Sequence, residues 1–183
     1  MRYLLFVLLL FPFLVQGQDG GRILSNYEKF STPTGKIYKT ETKEIRKAKD
    51  VTVSLVRTTD IESKKSITAI LVYQKSISTL YPGELGAAYI DIDEVAGVAD
   101  ALKYYQSQVK TVKSQDQNSF TYSTTNKVQF SCFYVEGGST PGWSVSISQP
   151  FHPKNSAGGL TTLKGKDIED LAEALAAAKS ASF

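Results

Sequence analysis

The chain has 183 residues, 42% hydrophobic and 21% charged, with 21 Lys and Arg against 18 Asp and Glu and a net charge of +3. This is the composition of a folded domain, and it excludes collagen, a coiled-coil rod and a disordered tail. One Cys and one His exclude a disulfide-stapled scaffold and leave few soft metal ligands.

In chain order, the first segment reads as an export signal. Arg2 is a short positive start, Tyr3 to Val15 is an uncharged apolar run interrupted by Pro12, and Val15-Gln16-Gly17 supplies a cleavage site. Residues 1–17 are therefore expected to be a signal peptide cut near Gly17/Gln18, and the mature chain to be secreted or periplasmic. No later run reaches the ~18 apolar residues of a spanning helix, so no transmembrane segment is expected after signal removal. Losing Arg2 brings the net charge still closer to zero, too low to steer a polyanion at long range.

Residues 18–35, with Gly20, Gly21, Pro33 and Gly35, read as a loose lead-in. Lys36–Glu44 is a polar edge strand, Arg46-Lys47-Ala48-Lys49 a basic turn, and Asp50–Arg57 an alternating strand with Val51, Val53 and Leu55 on one face. Thr58–Lys65 is a polar turn. Ser66–Gln74 and Gly86–Ile92 are strands around the turn Tyr81-Pro82-Gly83. Val95, Val98, Ala99, Leu102, Tyr105 and Val109 then form one apolar helical stripe. Asp91 and Glu94 are placed to form a capping box at its start, and Gly97 allows close contact with a sheet.

Residues 111–118 read as a linker. Phe120–Thr125 and Val128–Glu136 form a hairpin about Asn126-Lys127, followed by the alternating strand around Trp143, Val145 and Ile147. Leu160–Leu163 is a short strand, and Asp167–Lys179 a helix with Ile168, Leu171, Ala172 and Leu175 on one face. The expected fold is α+β: predominantly antiparallel sheet with two amphipathic helices in a tandem ββββα arrangement. Residues 36–183 form a single domain of two similar halves, 36–110 and 119–183. One mixed sheet with two packed helices is the alternative without repetition.

The segments Gly86–Leu102 and Gly159–Leu175, each a strand followed by an acid-started helix, carry a family likeness. Two such ββββα units in tandem resemble the Whirly family, and one unit resembles the single-stranded-DNA-binding coactivator family. The resemblance implies a sheet that binds single strands through basic and aromatic residues. The Lys-rich signature strand of the Whirly group is missing, so no binding residue carries over.

Candidate chemistry is sparse. Cys132 alternates with Val128, Phe130 and Tyr134 on a core-facing pattern and reads as a buried hydrophobe. A Cys132–His152 nucleophile pair oriented by Asn155 is the reactive alternative. Asp91, Asp93 and Glu94 read as helix capping, with a carboxylate pair or a Ca²⁺ site as alternatives. Arg46, Lys47 and Lys49, with Lys43, Lys64 and Lys65, read as a solvated turn or as a basic rim for an anionic glycan or phosphate. Gly137-Gly138 and Gly158-Gly159 match no phosphate loop, and no G-x-S-x-G or H-E-x-x-H occurs.

No catalytic, cofactor or metal residue is assigned, and no cofactor is expected. Tyr122, Tyr134 and Trp143 are the candidate interaction surface. The expected function is an exported, non-catalytic interaction or structural module of the envelope or extracellular space. Its expected partner is a protein or glycan of the envelope, not nucleic acid. The alternatives are an enzyme with a carboxylate- or Tyr-based site, and a polyanion or single-stranded nucleic-acid binder through a Whirly-like sheet.

Overall fold

The computed structural model describes residues 23–75, 84–111, 119–135, 142–148, 162–163 and 165–183. The fold is α+β, and the order ββββα occurs twice after a short leading helix. The elements are α1 (Asn26–Ser31), β1 (Tyr38–Ala48), β2 (Val51–Asp60), β3 (Ser66–Lys75), β4 (Glu84–Asp91) and α2 (Val95–Gln108). They continue with β5 (Ser119–Ser123), β6 (Gln129–Val135), β7 (Gly142–Ser148), β8 (Thr162–Leu163) and α3 (Lys166–Ser180). β1 to β4 form one antiparallel sheet and β5 to β8 a second, each paired in sequence order.

Alternation on the strands decides what each face buries. Val51, Val53 and Leu55 on β2, Ile70 and Val72 on β3, and Ala88 and Ile90 on β4 point one way into the main core. Phe130, Cys132, Val145 and Ile147 do the same from the second sheet. Val95, Val98, Leu102 and Tyr105 of α2, with Ile168, Leu171 and Leu175 of α3, complete that core. The helices pack on each other, yet α3 lies on β1 and β2 while α2 lies on β5 and β6. Each long helix thus covers the sheet of the other half.

The lead-in holds more structure than its composition suggests. Ser25 and Glu28 form a reciprocal capping box at the start of α1: the Glu28 amide donates to Ser25 Oγ at 3.0 Å, and the Ser25 amide to Glu28 Oε2 at 2.9 Å. α1 sits on the outer face of the first sheet. There Tyr27 stacks on Tyr89 with centroids 4.6 Å apart and shares a hydrogen bond with Thr58 Oγ1 at 2.9 Å. A helix this short has no visible apolar stripe, so the segment read as a loose lead-in.

Asp91 does not cap α2 as expected. Its carboxylate accepts from the Asn26 amide at 2.7 Å and the Tyr27 amide at 3.0 Å, at the start of α1. Glu94, at the head of α2, instead accepts from the amide and hydroxyl of Thr125 at 2.6 and 2.7 Å. Free helix-start amides attract a carboxylate wherever it comes from, and the one that serves Asn26 and Tyr27 is 64 or 65 residues away in sequence.

The basic turn at Arg46 is a second correction. β1 runs through it to Ala48, and Ala48 pairs with Val51, so the turn is Lys49-Asp50 alone. Lys49 adopts a left-handed φ of 54°, a position where Gly is preferred. The expected turn at Thr58–Lys65 is also shorter, because β2 continues to Asp60. Asp60 is only 2% exposed and accepts from the amides of Glu62 at 3.0 Å and Ser63 at 3.1 Å, and from Lys36 Nζ at 2.9 Å.

The Lys36 contact and the turn amides hold the Asp60 carboxyl far below the ordinary carboxylate range. Its charged form is therefore favoured by folding. That stability is present above about pH 4 and is lost as pH falls through the depressed folded value. The Asp60→Asn variant is expected to melt lower than the wild type at pH 7 and to show a flatter decline below pH 4. Parallel thermal melts across that range check it, and identical acid limbs in the two proteins contradict it.

Candidate functional site

The second sheet gathers the aromatic residues. Register places Tyr122 opposite Phe130, Phe120 opposite Cys132, and Tyr134 opposite Trp143, all on the face that α2 covers. Tyr122, Tyr134 and Trp143 are half-buried there. Period-2 alternation makes the aromatic face the inner face.

α2 packs over this face, against β5 and β6. Gly97 stands against Tyr122: a Cβ at that position would collide with the Tyr122 hydroxyl, and it would lie 3.1 Å from Cζ. The missing side chain lets the helix approach Tyr122 of β5, which offsets its ~1 kcal/mol helix penalty. About two turns further on, Tyr105 donates to the carbonyl of Phe130 at 2.8 Å and stacks on Phe120, with centroids 6.1 Å apart.

The rings form a continuous chain. Tyr104 meets Phe120 edge-on at 5.8 Å, Phe120 lies 6.0 Å from Trp143, and Trp143 meets Tyr134 edge-on at 5.8 Å. These separations are those of favourable aromatic pairs, so each ring fixes the next. Through Trp143 the chain borders a cleft of about 440 Å³. Trp143 is its aromatic wall; Gln106, Val109 and Lys110 come from the end of α2, and Ile168 and Glu169 from the first turns of α3. The cleft thus offers a stacking surface beside an amide, a cation and a carboxylate, the composition of a small-ligand site.

Of the candidate surface residues, the structure joins Tyr134 and Trp143 directly and puts Tyr122 further along the same face. Phe120 and Tyr104 are members that sequence reasoning missed. Tyr104 lies off the apolar stripe of α2 and is 51% exposed, and the only hint was its place beside Tyr105.

The other candidates divide. Cys132 is fully buried and free, and burial pushes its thiol up to about 11. His152 and Asn155, the linker, both Gly pairs and the turn at Tyr81 lie outside the described residues. Among the described residues no three His, Cys, Asp or Glu side chains come together as a metal site. Three members of the basic rim make internal contacts: Arg46 reaches Glu173 at 2.7 Å and Asp170 at 3.4 Å, Lys49 stands 4.0 Å from Asp167, and Lys43 donates to the Ser182 carbonyl. These contacts clamp α3 to β1.

A thiol so placed is expected to stay unmodified by iodoacetamide in native buffer and to react fully once denaturant opens the core. Mass spectrometry before and after denaturation reads this directly. Labelling of the native protein at the rate of a free thiol would show that Cys132 is accessible.

No family model matches this chain, and no curated protein matches it. Among the described residues, no helix is long and apolar enough to cross a membrane. The class is set by architecture: an α+β protein of two antiparallel sheets whose long helices are exchanged between them.

Proposed function

We propose that the protein is an exported, non-catalytic interaction module of the cell envelope or extracellular space, and that the Trp143 cleft holds its ligand, a glycan. The observation that carries this reading is Trp143, held in the ring chain between Phe120 and Tyr134 and lining the cleft. Sugar rings present flat C–H faces that stack on an indole, while Gln106, Lys110 and Glu169 stand ready to bond hydroxyl groups. The supporting chain Tyr134–Trp143–Phe120 orients the indole before binding, and preorganisation raises affinity by lowering the ordering cost. Export through residues 1–17 and descent of the two ββββα halves from one repeated unit belong to the same reading.

Trp143 is the only Trp of the chain, so its fluorescence reports on the cleft alone. Titration with neutral and amino-sugar oligosaccharides is expected to give a saturable change in emission. Calorimetry on Trp143→Ala is expected to show the binding lost, with melting of the variant as the folding control. No response across the panel, and no glycan retained from envelope extract, would reject the glycan reading. An intact Met1 on the native protein would reject export.

A further inference from the structure

A sheet exposes two edge strands, and an edge with free N–H and C=O groups pairs with another chain unless it is blunted. Three of the four edges here are blunted. β1 carries Lys39, Glu41, Lys43, Glu44, Arg46 and Lys47 and is broken by a register shift between Glu44 and Arg46. β4 is engaged from the side, since Asn126 Nδ2 donates to the Tyr89 carbonyl at 3.0 Å. β8 is two residues long.

β5 has none of these devices. Its sequence, Ser119-Phe120-Thr121-Tyr122-Ser123, holds no charge and no Pro, and among the described residues it pairs only with β6. Beside it a shallow groove of about 420 Å³ opens between the strand and α2, lined by Ala101, Tyr104, Phe120 and Tyr122. Asp100 at the groove already stands 3.8 Å from Lys103, so little net charge is brought to this edge.

We infer that β5 is a self-pairing edge, and that two copies of this chain join their second sheets through antiparallel β5–β5 contact about a two-fold axis at Thr121. The strand is symmetric in chemical type about that residue. Antiparallel pairing centred there sets Thr121 against Thr121, Phe120 against Tyr122 of the second copy, and Ser119 against Ser123. Thr–Thr and aromatic–aromatic are favourable cross-strand pairs, and no like charges meet. Opposed residues share a face, so each aromatic pair falls on the α2 side and extends the ring chain into the second copy. An isologous contact of this kind closes as a dimer and does not propagate. No residue lining the Trp143 cleft lies on β5, so loss of the dimer in Thr121→Lys with glycan binding kept separates the two readings.

Sedimentation equilibrium on the protein purified from its own host is expected to show a monomer–dimer equilibrium. Thr121→Lys places two cations opposite each other and is expected to weaken the dimer by roughly tenfold or more, with the melting temperature of the monomer kept. Register is tested by cross-linking. Thr121→Cys brings two Cα atoms to about 4.5–5.5 Å, within disulfide reach, whereas Ser123→Cys leaves the two copies about 14 Å apart. Mild oxidation is therefore expected to link the first variant and not the second. A protein that stays monomeric at ~100 μM, a Thr121→Lys variant that dimerises unchanged, or Ser123→Cys linking as readily as Thr121→Cys would each overturn the inference.

Discussion

Leu102→Ala and Leu175→Ala are each expected to cost about 2–5 kcal/mol of folding stability. Both side chains are fully buried in the main core, on helices that pack against each other. Truncation removes the transfer energy of the lost methyl groups and leaves a cavity that two sheets and a second helix hold open. For a chain of this size the loss is a melting shift of roughly 4–20 °C. It is a large fraction of the ~5–15 kcal/mol that stabilises a typical domain. Because the two residues share one core, the double variant is expected to depart from additivity. Urea denaturation of the three variants checks this, and full stability in either single variant would contradict the shared packing.

Tyr105 separates packing from hydrogen bonding at one position. Tyr105→Ala removes a buried ring from between Phe120 and the core and is expected to cost about 3–5 kcal/mol, the range for large aromatic truncations. Tyr105→Phe keeps the ring and deletes only the donor to the Phe130 carbonyl, with an expected cost of about 0.5–1.5 kcal/mol. Burial also pushes the Tyr105 phenol up to about 12. The folded state then keeps its proton where the unfolded chain releases it, so stability falls as pH rises from about 10 towards 12. Cys132, raised to about 11, adds to the same alkaline limb. Tyr105→Phe is expected to flatten that limb in denaturation series run at successive pH values, and an unchanged limb would show that the phenol does not titrate with folding.

Alternation identified the buried faces of β2, β6 and β7, and the stripe of Val95, Val98, Leu102 and Tyr105 identified α2, because period 2 and period 3.6 are local properties. The burial of Cys132 followed from its alternation with Phe130. The candidate site was half legible for the same reason. Aromatic residues at alternate positions announced one face of the second sheet, but not that a helix would lie across it. Tyr104 and Phe120 gained their roles only when α2 met β5, and Gln106, Lys110 and Glu169 only when the end of α2 met the start of α3.

By itself, the sequence determined an α+β chain of ββββα order and the apolar faces of β2, β6, β7, α2 and α3. The tertiary structure decided which face meets which: α3 on the first sheet, α2 on the second, Asp91 on the amides of α1, and Arg46 on Asp170 and Glu173. An apolar stripe states that it must be buried and carries no address for its partner. A carboxylate is equally satisfied by amides three residues away or sixty-five. Those choices are made by the packing of the whole chain, where burial of all the faces at once selects one arrangement.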